Sequence, residues 1–103
     1  RTMDKQDKIS ILRNFPRNVH AERYYALLEG MDDLKYNYWE YMTTEPINCD
    51  VELERIPAAN YELCAALLTM LLREDHFSNG SFGERIASGA VDAIIDRMIE
   101  NLL

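Results

Sequence analysis

The sequence contains little cysteine, proline or glycine, and it has no long uninterrupted hydrophobic run. Its 103 residues include 2 cysteines, 3 prolines and 4 glycines. Cys49 and Cys64 do not form a C-x-x-C pair, which argues against a disulfide scaffold and a zinc site. The longest apolar stretch, residues 63–72, is too short to span a bilayer, which takes about 20 residues. These scarcities predict a globular protein that is not inserted in a membrane, and we expect it in the cytoplasm.

The composition predicts one folded domain over residues 1–103. Hydrophobic residues make up 48% of the chain, which is ordinary for a globular protein and sufficient to form a core. Arg1 and Thr2 precede Met3. We therefore expect residues 1–3 to be partly vector-derived or disordered, with Met3 as the native start.

Charge is distributed unevenly along the chain. Residues 1–23 hold 6 basic and 3 acidic residues, whereas residues 24–103 hold 5 basic and 15 acidic residues, which together give the net charge of −7. Acidic side chains are densest between residues 29 and 54. Such a surface repels the phosphates of nucleic acids and attracts basic protein clefts. We therefore expect a basic protein partner and no direct binding of nucleic acid.

The apolar run of residues 63–72 predicts a central buried helix over about 58–77. From Leu63 onward, apolar residues recur at i, i+4, i+7 and i+8, which marks one face of a helix. Cys64, Leu68 and Leu72 extend the apolar surface nearly all round, as in a helix covered on every side. The helix should begin just after Pro57 and stop at Asn79-Gly80, because those two residues tolerate a left-handed conformation.

The remaining C-terminal residues predict a helical hairpin. Ser81 and Glu84 have the spacing of a capping box, and Gly89 should end the short helix that they begin. A second apolar face then follows at helical spacing, formed by Val91, Ile94, Ile95, Met98, Ile99 and Leu102.

The N-terminal half has a weaker pattern. Residues 4–13 and 19–29 are typical of two helices, with Gly30 as a stop signal. Residues 34–42 fit either a strand or a helix, and the alternating residues 51–56 fit either a short edge strand or an irregular lead into the central helix. The predicted fold is therefore mostly α: a small single-domain helical bundle around the central helix, with a short strand pair in 34–56 left open.

One motif in the C-terminal half has a known counterpart. Leu68-Thr69, then Arg73 to Gly80, then Gly89 and Arg97-Met98 follow the pattern L-T-x-x-x-R-x-[ED]-[RH]-F-x-x-G with a later glycine and a closing R-[LM]. Over roughly residues 60–103, the chain resembles a family of small bacterial proteins classed as a domain of unknown function. The resemblance implies no catalytic residue. It implies carriage on plasmids, phages and integrative elements.

The motif has a structural and a chemical interpretation. Its side chains are Arg73, Asp75, His76, Phe77 and Gly80. In the structural interpretation, which we favour, Arg73 pairs with Asp96 or Glu100 of the last helix, and His76 serves as a cation at a helix C-terminus. In the chemical one, Arg73, Asp75 and His76 form the centre of a small enzyme or metal-binding domain. A Cys49–His76 nucleophile and base pair is also left open.

An aromatic and acidic segment is the other candidate site. Tyr and Trp are typical of the energetically dominant residues of protein interfaces, although the same side chains could simply pack on the central helix. The predicted partner-binding residues are Asp32, Asp33, Tyr36, Tyr38, Trp39, Glu40, Tyr41, Glu52 and Glu54.

These observations predict a non-catalytic, acidic interaction protein, with no catalytic residues, cofactor or metal. Its expected partner is a basic protein such as a nucleic-acid-binding nuclease. The sharpest version is an inhibitor of a nucleic-acid-handling defence protein, of the anti-CRISPR or anti-restriction type, carried by a mobile element. The alternatives are the enzyme or metal-binding domain and a homodimeric helical scaffold.

Overall fold

Helices account for all the regular structure in residues 3–103, which are the residues described by the computed structural model. Within this range there is no β-strand, so the short strand pair left open in 34–56 is not formed. The expectations for Arg1 and Thr2 lie outside the described residues. The α-helices are α1 (Lys5–Asn14), α2 (Ala21–Gly30), α3 (Cys49–Leu53), α4 (Tyr61–Phe77), α5 (Ser81–Ala87) and α6 (Ala90–Leu102).

Helix α4 is the centre of the fold, as the sequence predicts. Every residue from 64 to 72 is buried, so this helix is covered on all sides. It begins at Tyr61 rather than directly after Pro57, because Ile56–Ala58 form a short 3₁₀ helix. Asn60 caps the new start by accepting a hydrogen bond from Leu63 N at 2.8 Å, which satisfies a backbone donor at the helix end.

The C-terminal helices pack as a unit on α4. Helix α6 contacts both α4 and α5, and Val91, Ile94, Ile95 and Met98 are fully buried on its predicted face. The predicted Ser81 capping box is wrong: Gly80 is the N-cap residue and Ser81 already lies in α5. Asp75 takes over the capping role, because its Oδ1 accepts a hydrogen bond from Phe82 N at 2.9 Å.

The ambiguous segment 34–42 forms a 3₁₀ helix at Tyr38–Tyr41 that packs against α4. Its backbone groups bond locally: Tyr38 N donates to Lys35 O at 3.1 Å, and Met42 N donates to Trp39 O at 3.1 Å. A strand would have needed a partner strand for these groups. Residues 51–56 are likewise helical, because they fall mostly in α3 and the Ile56–Ala58 helix.

The N-terminal half joins the same core. Tyr24 of α2 is fully buried and lies edge-on between Phe15 and Phe82, with ring centroids 4.8 and 5.0 Å away. Arg17 connects this half to α6 through Asp92 at 3.2 Å and Asp96 at 2.9 Å. Both halves therefore belong to one mostly-α domain. None of the helices between residues 3 and 103 has the length and hydropathy needed to cross a membrane.

Candidate interaction surface

The aromatic segment divides into an inward and an outward side. A 3₁₀ helix has three residues per turn, which places Tyr38 and Tyr41 on the same side, and both are half-buried. Trp39 is 58% exposed, and Tyr36, just before the helix, is 76% exposed. The predicted aromatic cluster is thus part core and part surface, and both readings of its sequence apply to different residues.

Two cavities flank this segment. The first has a volume of about 580 Å³ and lies between the 46–50 loop and the C-terminal end of α4. The second, of about 240 Å³, lies between α2, the 34–39 segment and α4. Tyr38 and Arg73 line both cavities. We call this continuous surface the aromatic groove, and its defining residues are Tyr36, Tyr38, Trp39, Arg73 and Phe77.

Phe77 is the most exposed of these aromatic rings. It is the last residue of α4, it lines the first cavity, and 80% of its surface is accessible. Its ring meets the edge of His76 at 5.4 Å between centroids. A phenylalanine inside a helical motif usually predicts a buried contact, so its exposure makes Phe77 a candidate contact residue rather than a core residue.

Arg73 does not make the predicted pair with α6. Asp96 is bound by Arg17 at 2.9 Å, and Glu100 by Arg97 at 3.8 Å. Arg73 is exposed and has no ion pair or hydrogen bond with any residue from 3 to 103. The other basic residues of the acidic part of the chain all have carboxylate partners: Lys35–Glu62, Arg55–Glu52, Arg85–Glu74 and Arg97–Glu100.

The rest of the motif diverges around the end of α4. Asp75 caps α5 and lines a separate cavity of about 590 Å³ together with Gly80, whereas His76 is exposed and lines none of the described cavities. Gly80 has the expected left-handed φ of 90°, but it is the N-cap of α5 rather than the end of α4, which stops at Phe77 with Ser78 as its C-cap. Because Arg73, Asp75 and His76 point into different surroundings, they do not form the single chemical centre of the alternative interpretation.

Cys49 is not an activated nucleophile. It lines the first cavity, but His76 does not, so the predicted base is absent from its surroundings. Burial and, to a lesser extent, the neighbouring Glu74 carboxylate together raise the pKa of the Cys49 thiol to about 11. A thiol rather than a thiolate is therefore present at neutral pH. Across residues 3–103, no three His, Cys, Asp or Glu side chains are placed to hold a metal ion.

Two of the predicted partner-binding acids are buried instead. Asp33 is 5% exposed, pairs with Lys8 Nζ at 2.9 Å, and accepts a hydrogen bond from the Tyr61 hydroxyl at 2.6 Å. Glu52 is 0% exposed. Both carboxylates serve internal contacts, so they must be removed from the predicted surface.

The remaining predicted acids lie on the surface, and Glu40 directly follows Trp39 in the chain. Asp32, Glu40 and Glu54 are exposed, as the sequence interpretation requires. Two further acids were missed: Asp50 lines the first cavity, and Glu45 lines another cavity, of about 380 Å³, beside Trp39. The local sequence gave no signal that these two acids line cavities, because the fold of the loop after Tyr41 brings them there. We call these five exposed residues the acidic border: Asp32, Glu40, Glu45, Asp50 and Glu54.

The buried Glu52 holds the loop behind the groove in place. Its Oε2 accepts hydrogen bonds from Thr43 N at 2.9 Å and Thr44 N at 2.8 Å, and its Oε1 pairs with Arg55 Nη1 at 2.9 Å. Burial alone would raise the pKa of this carboxyl, but the bonds from Thr44, Arg55 and Thr43 lower the pKa to about 2. Glu52 is thus ionised at neutral pH and fixes the start of the 43–48 loop.

The comparison with protein families covers nearly the whole chain. A family model matches residues 4–101. The chain belongs to the DUF6508 family. This is a family of unknown function, which confirms the resemblance found in the sequence and extends it into the N-terminal half. Comparisons with curated proteins and with solved structures gave no match. Membership in DUF6508 therefore assigns no role to any residue, and the surface must be interpreted from its own chemistry.

Proposed function

We propose that this DUF6508 protein is a non-catalytic interaction protein that binds a basic protein partner through the aromatic groove. The observation that carries the proposal is the exposure of Tyr36, Trp39 and Phe77 around two adjoining cavities. The domain has a well-covered central helix, so its core does not need these rings. Adjoining exposed aromatic side chains are a common mark of a protein-binding site.

The composition of the groove favours a protein as the partner. Trp, Tyr and Arg are enriched among the residues that dominate binding energy, and the groove supplies all three residue types. Burial of one large apolar side chain contributes about 1.5–3 kcal/mol, so a partner that covers Tyr36, Trp39 and Phe77 could bind with useful affinity. Arg73 lines both cavities, one together with Tyr36 and Trp39 and the other together with Phe77.

The acidic border favours a basic partner. Asp32, Glu45 and Glu54 are exposed and none of them has a basic side chain as an ion-pair partner within the described part of the chain. Exposed acids accelerate association with a basic protein and make that association sensitive to salt, and Glu45 lies beside Trp39 of the groove. The same acids disfavour nucleic acid itself, because they repel phosphate.

A narrower form of this proposal is inhibition of a nucleic-acid-handling defence protein in the cytoplasm, of the anti-CRISPR or anti-restriction type. Its support is the net charge of −7 and the mobile-element context that the family resemblance implies. An acidic domain could occupy the basic cleft in which such a protein holds its nucleic acid. A second copy of the chain is the alternative occupant of the groove, and light scattering of the purified protein distinguishes a dimer from a monomer.

Capture of partners from bacterial lysate tests the proposal when it is compared between matched variants. The test variant is Trp39→Ala with Tyr36→Ala, and the control is Leu103→Ala, an exposed apolar residue at the C-cap of α6 that lines no part of the groove. We expect a basic protein to be captured by wild type and by the control, but not by the groove variant. Equal capture by all three proteins would refute the role of the groove.

A charge-reversal pair tests the acidic border separately. Glu40→Lys with Glu45→Lys changes the border, and Glu22→Lys with Glu84→Lys makes the same change of charge on α2 and α5. We expect the first pair to weaken capture and to reduce its dependence on salt, while the second pair leaves both unchanged. A similar loss with both pairs would show that only the net charge matters. Circular dichroism melts of every variant confirm that folding is retained.

A further inference from the structure

Arg73 differs from the other basic residues around it. In residues 24–103 of this acidic chain, Lys35, Arg55, Arg85 and Arg97 each hold a carboxylate, and Arg73 alone among the described basic residues there does not. It is followed directly by Glu74 and Asp75 in its own helix, yet it pairs with neither of them and lines the two cavities. Its guanidinium is therefore available to a group from outside the chain.

The chemistry of this guanidinium selects an anion with planar oxygens. Arginine is always charged and offers N–H donors in a fork that matches a carboxylate. Lys35 also lines the second cavity, but Glu62 already holds its amine. Arg85 lines the first cavity and is bound to Glu74 at 2.8 Å and Asp50 at 2.6 Å. Arg73 is thus the free cationic donor where the cavities join.

The two cavities have the size and lining for side chains. The smaller one, at about 240 Å³, is below the roughly 300–1,000 Å³ typical of sites for drug-sized ligands. Tyr25, Leu34, Tyr36 and Trp39 give it apolar walls. The larger one is bounded by Ile47, Met70 and Phe77, among others. Since Arg73 lines both, a group bound to it would have the apolar walls of the smaller cavity on one side and, on the other, the larger cavity, whose lining also includes the ion-paired Asp50, Glu74 and Arg85.

We propose that the aromatic groove binds a short peptide segment of the partner, in which one acidic side chain pairs with Arg73 and flanking apolar side chains enter the two cavities. This inference rests on the proposed function and specifies how the same surface recognises its partner. The acidic border limits the segment to few carboxylates, because additional acids would meet the exposed Glu40 or Glu45. The expected segment therefore combines one central acid with apolar neighbours and neutral or basic ends.

Selection of a random-peptide phage library on the full-length purified protein tests this inference. We expect the enriched peptides to share an acidic residue between apolar residues. The consensus peptide is then synthesised as the probe, together with a version in which its acid is replaced by the corresponding amide. Binding of both peptides is measured by titration calorimetry to wild type, Arg73→Gln and Arg13→Gln, an exposed arginine on α1 that serves as the control.

We expect the affinity that is lost on replacing Arg73 to depend on the acidic residue of the peptide. Hydrogen bonds to charged groups contribute about 1.5–3 kcal/mol, so Arg73→Gln should weaken the acidic peptide about 10- to 100-fold. The amide peptide should bind wild type and Arg73→Gln with similar, weak affinity, and Arg13→Gln should match wild type with both peptides. This pattern assigns the lost affinity to the pair between Arg73 and the peptide acid.

Other outcomes overturn the inference in distinguishable ways. A library that yields no binders, a consensus without an acid, or an Arg73→Gln protein that binds the acidic peptide as wild type does would each refute recognition through Arg73. If the lysate capture still depends on Tyr36 and Trp39 in those cases, the proposed function stands without this inference. If that capture is also unchanged by the groove variant, both proposals fail.

Discussion

Replacement of the buried carboxylate Glu52 by glutamine is the sharpest test of how this surface is held. Glutamine keeps the size of the side chain but removes the charge that Thr43, Thr44 and Arg55 stabilise. Its amide N–H₂ group would also face the backbone N–H groups of Thr43 and Thr44, which need an acceptor. We therefore expect a large loss of stability from a change that creates no cavity.

The magnitude follows from the pKa of the carboxyl. It falls from 4.5 in the unfolded reference to about 2 in the folded protein. Each unit by which the folded pKa lies below the unfolded pKa is worth 1.36 kcal/mol, so ionised Glu52 contributes about 3 kcal/mol to the free energy of unfolding. For a domain of this size, that loss corresponds to a melting temperature lower by roughly 10–20 °C.

The pH dependence provides an independent measurement. Because the folded pKa is lower than the unfolded one, the contribution of Glu52 is complete above about pH 5 and is lost as the pH falls toward 2. Chemical denaturation at several pH values should therefore show a stability difference between wild type and Glu52→Gln that is full at pH 7 and shrinks in acid.

Glu54→Gln is the matched control, because Glu54 lies two residues further along the chain and is exposed. It should change stability by less than about 0.5 kcal/mol at any pH. The reasoning is refuted if Glu52→Gln costs less than about 1 kcal/mol at pH 7, or if its effect is independent of pH.

Three further substitutions or treatments test other parts of the structure. Leu67→Ala and Leu71→Ala should each cost about 2–5 kcal/mol in chemical denaturation, since both side chains are fully buried in α4, and a smaller cost would mean that the core relaxes around them. Gly80→Ala should destabilise the protein by about 1 kcal/mol, because φ of Gly80 is 90°. Gly83→Ala, within α5, should stabilise it by about 0.5–1 kcal/mol. Similar melting temperatures for these two variants would contradict the assigned backbone conformation. Cys49 should react slowly with iodoacetamide at pH 7 and faster as the pH rises toward 11, and fast labelling at neutral pH would contradict the raised pKa of its thiol.

The sequence predicted the structure well where the apolar face of a single helix determines how that helix packs. The burial of α4 and α6 follows from apolar periodicity within each segment, and Gly80 follows from the local need for a left-handed residue. Residues 34–42 were ambiguous because their aromatic side chains fit a strand and a helix equally well. The packing of Tyr38–Tyr41 on α4 decided between them, and that contact is not encoded in the local pattern.

The roles of individual charges were harder to predict. In the sequence, Asp33 and Glu52 look like the exposed acids beside them. In the fold, both are buried and bound by partners from elsewhere in the chain, such as Lys8, which lies 25 residues before Asp33. The expected partner of Arg73 was wrong for the same reason, since Arg17 reaches Asp96 from the opposite end of the chain. The separation of these pairs along the chain leaves no periodic signal.

The all-round burial of α4 also determines which pieces of this protein can exist alone. Its covering elements come from both halves of the chain, with α2, α3 and the Tyr38–Tyr41 helix on one part of its circumference and α5 and α6 on another. A fragment limited to residues 60–103, which contain the recognisable motif, would expose to water the apolar surface of α4 that the N-terminal half covers. We expect such a fragment to aggregate. The C-terminal helices should therefore fold only together with the N-terminal half that covers α4.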